Sequence, residues 1–130
     1  MNPSTKAILL VDDEEPNRVL LSRRLTDAGY RVKAVEGGRQ ALDALRAQWF
    51  DLVLLDLLMP EMDGLATLGA IKSDPTIRRV PVLMLTASNT RESIVHCLSL
   101  GAADYVIKPA DPVELKRRVY RQLAPSGGSV

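Results

Sequence analysis

The chain has 130 residues, of which 46% are hydrophobic and 25% charged, and its formal net charge is +1. This length and composition are typical of one globular domain. The balanced charge provides no general attraction to nucleic acid or to an anionic membrane, so we expect neither as a direct partner. The single cysteine excludes an internal disulfide. Because the first apolar run, Ala7–Val11, is too short for a signal peptide or a membrane span, we expect a cytoplasmic protein.

Short apolar runs alternate with segments of helical periodicity along the chain. Several of the runs are almost entirely valine, isoleucine and leucine, which is typical of strands buried on both faces of a parallel sheet. In chain order, the predicted strands are Ala7–Val11, Arg31–Val35, Leu52–Leu55, Pro81–Leu85 and Tyr105–Ile107. The apolar stripes that predict the five helices contain Leu21, Leu25 and Ala28; Ala41, Leu42 and Leu45; Leu65, Leu68 and Ile71; Ile94, Cys97 and Leu98; and Leu115, Val119 and Leu123.

Five strands that alternate with five helices imply right-handed crossovers and a three-layer α/β sandwich. Gly29 and Gly101 follow helical stripes, as glycines at helix C-termini do. We assign residues 1–124 to one domain. Residues 125–130 are rich in glycine and serine, which predicts a flexible tail or the start of a linker.

Acidic residues directly follow two of the predicted strands. Asp12 and Asp13 follow the first strand, and Asp56 follows the third. Open α/β sheets bind ligands at the carboxyl ends of their strands, so these acids converge if the two strands are neighbours. Two carboxylates ~4 Å apart repel by about 4 kcal/mol at an effective dielectric constant near 20. The cluster therefore predicts either a bound proton or a bound cation.

The chemistry of this cluster favours phosphoryl transfer. Carboxylate oxygens without a nearby histidine or cysteine favour Mg²⁺. Thr86 and Lys108 follow the fourth and fifth strands, so we expect their side chains at the same edge of the sheet. A carboxylate can accept a phosphoryl group, and a cation, an ammonium and a hydroxyl can neutralise and orient that group. The residues alone thus predict a metal-assisted phospho-acceptor.

Four short motifs carry a resemblance to a known family. They are Val11-Asp12-Asp13-Glu14, Asp56-Leu57-Leu58-Met59-Pro60 with Met62-Asp63-Gly64, Leu85-Thr86-Ala87, and Gly101-Ala102 through Tyr105 to Lys108-Pro109. In this order and at these spacings, the motifs resemble the receiver domain of bacterial two-component response regulators, over about Lys6 to Leu123. The resemblance implies a doubly wound, flavodoxin-like fold with the strand order 2-1-3-4-5.

The resemblance also implies the residues of the site. Asp56 would be the phosphorylated residue, and Lys108 would pair with the phosphoryl group. Asp12 and Asp13 would hold Mg²⁺ together with Asp56 and the backbone carbonyl of Leu58. The phosphoryl donor would be a sensor histidine kinase or a phosphotransfer protein, and the domain would catalyse only its own phosphorylation and dephosphorylation.

In the family, the signal leaves through a switch. Thr86 would move to hydrogen-bond the phosphoryl group, and Tyr105 would turn inward as Thr86 moves. This change would alter the face formed by the fourth helix, the fifth strand and the fifth helix. A phosphorylation-dependent homodimer or an effector domain in a longer chain would then produce the output.

The sequence departs from the family pattern at three positions. Ala110 stands where receivers often have phenylalanine, which we expect to change the partner surface near the fifth helix. Leu58 and Ser88 lie two residues beyond Asp56 and Thr86, and neither position offers a carboxylate or an amide. In the family these two positions tune how fast water attacks the acyl phosphate, so the resemblance implies no specialisation for rapid self-dephosphorylation.

Two other functions are left open by the residues. One is a magnesium-dependent phosphatase with an aspartyl nucleophile, although such enzymes typically have Asp-x-Asp and here Asp12 and Asp13 are adjacent. The other is a degenerate receiver that acts only as a binding module. Tyr105 likewise has the alternative of being an ordinary strand aromatic.

Overall fold

Strands and helices alternate along the whole described part of the chain, which in this computed structural model is residues 5–59 and 62–124. The elements are β1 (Ala7–Val11), α1 (Glu15–Asp27), β2 (Arg31–Val35), α2 (Gly38–Ala47), β3 (Leu52–Asp56), α3 (Gly64–Ser73), β4 (Val82–Thr86), α4 (Arg91–Ser99), β5 (Asp104–Ile107) and α5 (Pro112–Leu123). The predicted tail, 125–130, lies outside the described residues.

The five strands form one parallel sheet in the order β2-β1-β3-β4-β5. This order confirms the three-layer, doubly wound fold. The chain runs outward from β1 to one edge and then back to the other, so the strand order reverses beside β1 and β3. In such sheets the crevice at the carboxyl ends of these central strands is the usual place for a ligand.

Each face of the sheet has its own apolar core. The residues of β1, β3 and β4 are all buried, because helices cover both of their faces. Leu21 and Leu25 of α1 and Leu115 and Val119 of α5 pack in the core of one face. The helices α2, α3 and α4 supply the core of the other face, where Cys97 is also buried. The two cores pack against both faces of the central strands, and the strands in turn position the residues at their ends.

Several details of the pattern differ from the prediction, and two of them are strand ends: β3 extends one residue further, to Asp56, and β5 begins one residue earlier, at Asp104. The strand β2 is exposed at several residues because it lies at an edge of the sheet. Ala28 and Leu98 belong to the predicted apolar stripes but are exposed, Ala28 as the residue that ends α1. The strand β4 begins at Val82 and ends at Thr86, one residue later than predicted, since Pro81 has no N–H to donate to a strand ladder.

Local signals mark several of the helix ends. Asp111 accepts a hydrogen bond from the Glu114 N–H at the start of α5. Gly29 and Gly101 have φ angles of 103° and 109°, in the left-handed region that favours glycine. No helix in the described part of the chain is long and apolar enough to cross a membrane.

Candidate functional site

Three acids converge at the carboxyl ends of β1 and β3. These strands are neighbours, with Val11 opposite Leu55, so the residues that follow this pair, Asp12 and Asp56, lie side by side. One carboxylate oxygen from each of Asp12, Asp13 and Asp56 lies within 4.8 Å of the others. Asp12 is fully buried and Asp56 is 3% exposed, whereas Asp13 is half-buried. The structure therefore brings together the three acids that the sequence pattern grouped.

Lys108 brings a positive charge to this cluster. Its Nζ lies 3.2 Å from Asp56 Oδ2 and 3.6 Å from Asp12 Oδ2. The Lys108 N–H donates a hydrogen bond of 2.7 Å to the carbonyl of Thr86, which fixes the backbone from which the side chain extends. The peptide bond between Lys108 and Pro109 is cis. Three ionised carboxylates and one ammonium leave a net charge of −2 in the pocket.

The pKa values of two groups reflect their burial and the charges around them. Burial raises the pKa of Asp56, the Lys108 ammonium lowers it, and the neighbouring Asp12 raises it again, so that it lies above its usual value. Burial acts to lower the pKa of Lys108, but attraction to Asp56 and Asp12 outweighs burial and the pKa is raised. The ammonium therefore stays charged at neutral pH, and the Asp56 carboxylate carries a desolvation cost that a further cation would reduce.

Of the two carboxylate oxygens of Asp12, one accepts a hydrogen bond and the other has only the Lys108 ammonium near it among the described cationic groups, at 3.6 Å. Its Oδ1 accepts a hydrogen bond of 2.9 Å from the Glu14 N–H, and its carbonyl accepts one of 2.7 Å from Arg18 Nη1. Its Oδ2 is buried and accepts no hydrogen bond from the described residues. A buried carboxylate oxygen without a donor is costly unless a cation is bound beside it. Together with the all-oxygen donor set and the net negative charge, this oxygen fits a hard divalent ion such as Mg²⁺.

Thr86 ends β4 beside the cluster and is 1% exposed. Its Oγ1 accepts a hydrogen bond of 2.9 Å from the Ser88 N–H. The Ser88 hydroxyl lies 3.2 Å from Thr90 Oγ1, and Thr90 caps α4 by accepting from the Ser93 N–H. A chain of hydrogen bonds thus links the predicted switch hydroxyl to the first turn of α4.

Tyr105 lies on β5 opposite Met84, on the same face of the sheet as Thr86, because side chains two residues apart on a strand share a face. The residue is half-buried and packs against the core on the α2, α3 and α4 side. Its backbone N–H donates to Asp104 Oδ1 at 2.8 Å. The structure therefore places both predicted switch residues on one face of neighbouring strands.

A cavity of about 670 Å³ opens beside Asp56. Leu58 lies in its wall and is 70% exposed, and Ala110 lines it on the side of α5. Leu20 and Arg24 of α1 form the opposite wall. The small side chain of Ala110 therefore lines the same cavity as Asp56.

The close packing of Gly64 is one feature of the site that sequence reasoning missed. A Cβ at this position would lie 2.4 Å from the carbonyl oxygen of Asp56 and 2.6 Å from the Cα of Leu57. The Gly64 N–H also donates to the Leu57 carbonyl at 2.8 Å. The start of α3 therefore presses directly on the backbone that carries Asp56. The glycine in the motif was a visible signal, but its contact with β3 follows only from the fold.

Comparison with known proteins decides the family. The sequence profile of the response regulator receiver domain matches residues 8–120. The chain belongs to this family. It is a receiver domain of two-component response regulators, and the comparisons give no better support to the phosphatase or to the degenerate binding module.

The transcriptional regulatory protein ZraR of Escherichia coli K12 is 46% identical to this receiver domain over 118 residues. The match covers 90% of this chain and 26% of ZraR, so the chain spans about a quarter of the length of that curated relative.

Two solved structures support the same conclusion about the fold. Chemotaxis protein CheY4 of Vibrio cholerae is 32% identical with a TM-score of 0.85, over 90% of this chain and 98% of that one. The receiver domain of a sensor histidine kinase from Pseudomonas aeruginosa PAO1 is 34% identical with a TM-score of 0.85, over 93% of this chain and 99% of that one. The latter structure has a magnesium ion coordinated in its active-site cleft.

Proposed function

We propose that this receiver domain accepts a phosphoryl group on Asp56 and that Lys108 and Thr86 stabilise the product. The observation that carries the proposal is the position of Asp56, whose Oδ2 lies 3.2 Å from Lys108 Nζ at the mouth of an open cavity. The chemistry needs a carboxylate nucleophile and groups that neutralise the phosphoryl oxygens. All of these groups meet at one edge of the sheet.

The donor that we propose is a phosphohistidine on a sensor histidine kinase or a phosphotransfer protein. A carboxylate oxygen of Asp56 attacks phosphorus, the P–N bond breaks, and the imidazole leaves with its electron pair. The phosphorylated imidazole would enter through the cavity between α1 and Ala110. Catalysis by the domain itself would be limited to this transfer and to the later hydrolysis of the acyl phosphate.

We propose that Mg²⁺ is bound by Asp12, Asp13, Asp56 and the backbone carbonyl of Leu58. The three carboxylates share a site of the right size, and Asp12 Oδ2 has no donor among the described residues. When bound, the ion would neutralise charge on the transferring phosphoryl group. Asp12 and Asp13 would position it, while Lys108 would hold the other side of the phosphoryl group.

The proposed switch begins at Thr86. If the Thr86 side chain rotates toward the phosphoryl group so that its hydroxyl donates to it, the oxygen would move away from the Ser88 N–H and that hydrogen bond would break. Breaking it frees Ser88 and, through Thr90, the first turn of α4. Shifting a two-state equilibrium from 1:99 to 99:1 takes about 5.5 kcal/mol. Charge-assisted hydrogen bonds of roughly 1.5–3 kcal/mol each, from Thr86, Lys108 and a backbone N–H near Ala87, would together reach that value.

The output that we propose is a change in the face formed by α4, β5 and α5, with Tyr105 turning inward as Thr86 moves. Phosphorylation would then favour a homodimer through this face or alter an attached effector domain. The relative ZraR is about four times longer than its match to this chain and is named a transcriptional regulatory protein. We also propose a cytoplasmic location, in keeping with the one thiol of the chain, Cys97, being free and buried.

The direct test is incubation with acetyl phosphate and Mg²⁺, followed by intact-mass measurement. The wild-type chain should gain the mass of one phosphoryl group, and Asp56→Asn should gain none. Asp51→Asn is the matched control, because Asp51 lies at the opposite end of β3. Labelling of Asp56→Asn to the wild-type extent would refute the proposal, as would rapid release of phosphate from small phosphate esters by the wild-type chain.

A further inference from the structure

Tyr105 is contacted by a side chain that lies outside the phosphorylation site. The guanidinium carbon of Arg118, on α5, lies 5.7 Å from the centre of the Tyr105 ring. At this distance over an aromatic ring, a cation is attracted to the ring face. The contact joins α5 to β5 at the residue that we propose as the aromatic switch.

Two ion pairs fix the guanidinium in this place. Arg118 Nη1 lies 2.6 Å from Asp104 Oδ1, and Arg118 Nε lies 2.6 Å from Glu114 Oε1. The same Asp104 oxygen accepts the Tyr105 backbone N–H. The Arg118 side chain is 27% exposed, so these contacts are only partly screened by water. Held by one acid on β5 and one on α5, the guanidinium has little freedom to follow the ring if the ring moves.

The state of Thr86 shows which arrangement these contacts stabilise. Its hydroxyl accepts a hydrogen bond of 2.9 Å from the Ser88 N–H. In the proposed switch this hydrogen bond belongs to the resting arrangement, because Thr86 would leave it to reach the phosphoryl group. Contacts that hold Tyr105 in this arrangement oppose the inward turn that would follow phosphorylation.

We propose that Arg118 is a positioning residue that holds Tyr105 in its resting arrangement and thereby sets the threshold of the switch. This inference rests on the proposed function, because it concerns how readily the phosphorylated state is reached. Loss of an exposed or partly exposed cation–π contact should change the switch equilibrium about two- to fivefold. The active arrangement is then more populated before phosphorylation, and any ligand that selects it binds correspondingly more tightly.

The probe for the test is beryllofluoride with Mg²⁺, which forms a phosphoryl-like adduct on an aspartate. We expect Arg118→Gln to lower the beryllofluoride concentration for half-saturation about two- to fivefold relative to wild type. Arg117→Gln is the matched control: Arg117 also pairs with Glu114, at 3.8 Å, but is 64% exposed and has no described contact with the Tyr105 ring. Its half-saturation should equal that of wild type.

A test in a Tyr105→Leu variant distinguishes an effect of Arg118 through the Tyr105 ring from a purely structural role of Arg118. In a Tyr105→Leu protein, the additional change Arg118→Gln should no longer alter half-saturation, because the ring face is gone. Fluorotyrosine NMR adds a direct reading, since the chain has only three tyrosines. In the unliganded Arg118→Gln protein, the Tyr105 signal should shift toward its beryllofluoride-bound position. Arg118→Lys keeps the positive charge but not the attachment to both acids, so it should shift the Tyr105 signal less than Arg118→Gln does. The same variant replaces Arg118→Gln in these tests if Arg118→Gln folds poorly.

The outcomes separate the inference from the function on which it rests. Equal half-saturation in Arg118→Gln and wild type overturns the inference, and so does an effect that persists in the Tyr105→Leu background. Failure of the wild-type chain to bind beryllofluoride, or equal binding by Asp56→Asn, overturns the proposed function instead.

Discussion

The two acids at the ends of β3 have opposite surroundings. Asp51, before the strand, has both carboxylate oxygens engaged: Oδ2 accepts the Ala7 N–H at 2.8 Å and Oδ1 accepts the Trp49 indole N–H at 3.1 Å. Asp56, at the end of the strand, faces one ammonium and two further carboxylates. One acid joins β3 to its neighbours, whereas the other has a charge that the fold leaves undercompensated.

We interpret this difference as that between an acid with a structural role and the acid that we propose as the phosphorylation site. Asp74, at the end of α3, belongs with Asp51: hydrogen bonds from the Thr76 hydroxyl and backbone N–H, together with Arg46, hold its pKa below its usual value. Burial instead raises the pKa of Asp56. An acid whose donors come from the protein stabilises the fold, while an acid that is buried without enough donors requires something from outside.

We expect the largest contrast, in the rate of phosphorylation, between substitutions of two lysines, Lys108 in the site and Lys72 away from it. Lys108→Gln removes a charged partner worth roughly 1.5–3 kcal/mol, so we expect phosphorylation by acetyl phosphate to slow about 10- to 100-fold. Lys72 is the control, because its Nζ donates to the carbonyls of Arg78 and Val80, away from the site. Lys72→Gln should lower the free energy of unfolding and leave the rate unchanged. Equal rates for the two variants would mean that Lys108 has no special role.

Two glycines of α3 test how firmly the carboxyl end of β3 is held. Gly64→Ala forces a methyl group against the backbone of Asp56 and Leu57, and we expect it to lower the free energy of unfolding by about 1–3 kcal/mol and to impair phosphorylation. A methyl group at Gly69, in the same helix, would have no neighbour within 4 Å among the described residues. Gly69→Ala should raise stability by roughly 0.5–1 kcal/mol, as expected for alanine in a helix. Urea unfolding measures both, and similar stabilities would contradict the packing described for Gly64.

The two acids of β3 should respond to substitution with opposite signs. Because the folded-state pKa of Asp56 is raised, its favourable contribution is complete below the ordinary carboxyl pKa and is lost as the pH rises through the raised value. Asp56→Asn should therefore slightly raise the melting temperature at pH 7 without Mg²⁺, and the gain should vanish at low pH. Asp51→Asn should lower stability by about 1 kcal/mol at pH 7, since an amide cannot accept both hydrogen bonds. Destabilisation by both changes would refute the contrast.

The sequence predicted most of the fold because its signals are local. The apolar runs of the central strands and the caps of α5 are readable without knowing which strands pair. Errors arose where burial depends on the neighbours. The apolar stripe of α4, for example, contains the exposed Leu98.

The site was predicted in composition but not in geometry. The residue types at the strand ends indicated acids, an ammonium and a hydroxyl at one edge. That Lys108 Nζ lies between Asp56 and Asp12 depends on the register of β5 against β4, which no local pattern encodes. The contact between Arg118 and Tyr105 depends likewise on the docking of α5 against β5.

The most direct test of the central claim is a crystal structure of the chain grown with Mn²⁺, which occupies Mg²⁺ sites and gives an anomalous signal. We expect one anomalous peak at the three acids, with carboxylate oxygens of Asp12, Asp13 and Asp56 and the carbonyl oxygen of Leu58 about 2.1 Å away. Asp51 should have no ion beside it. A map with no peak at the three acids, or with the peak at the other end of β3, would contradict the account.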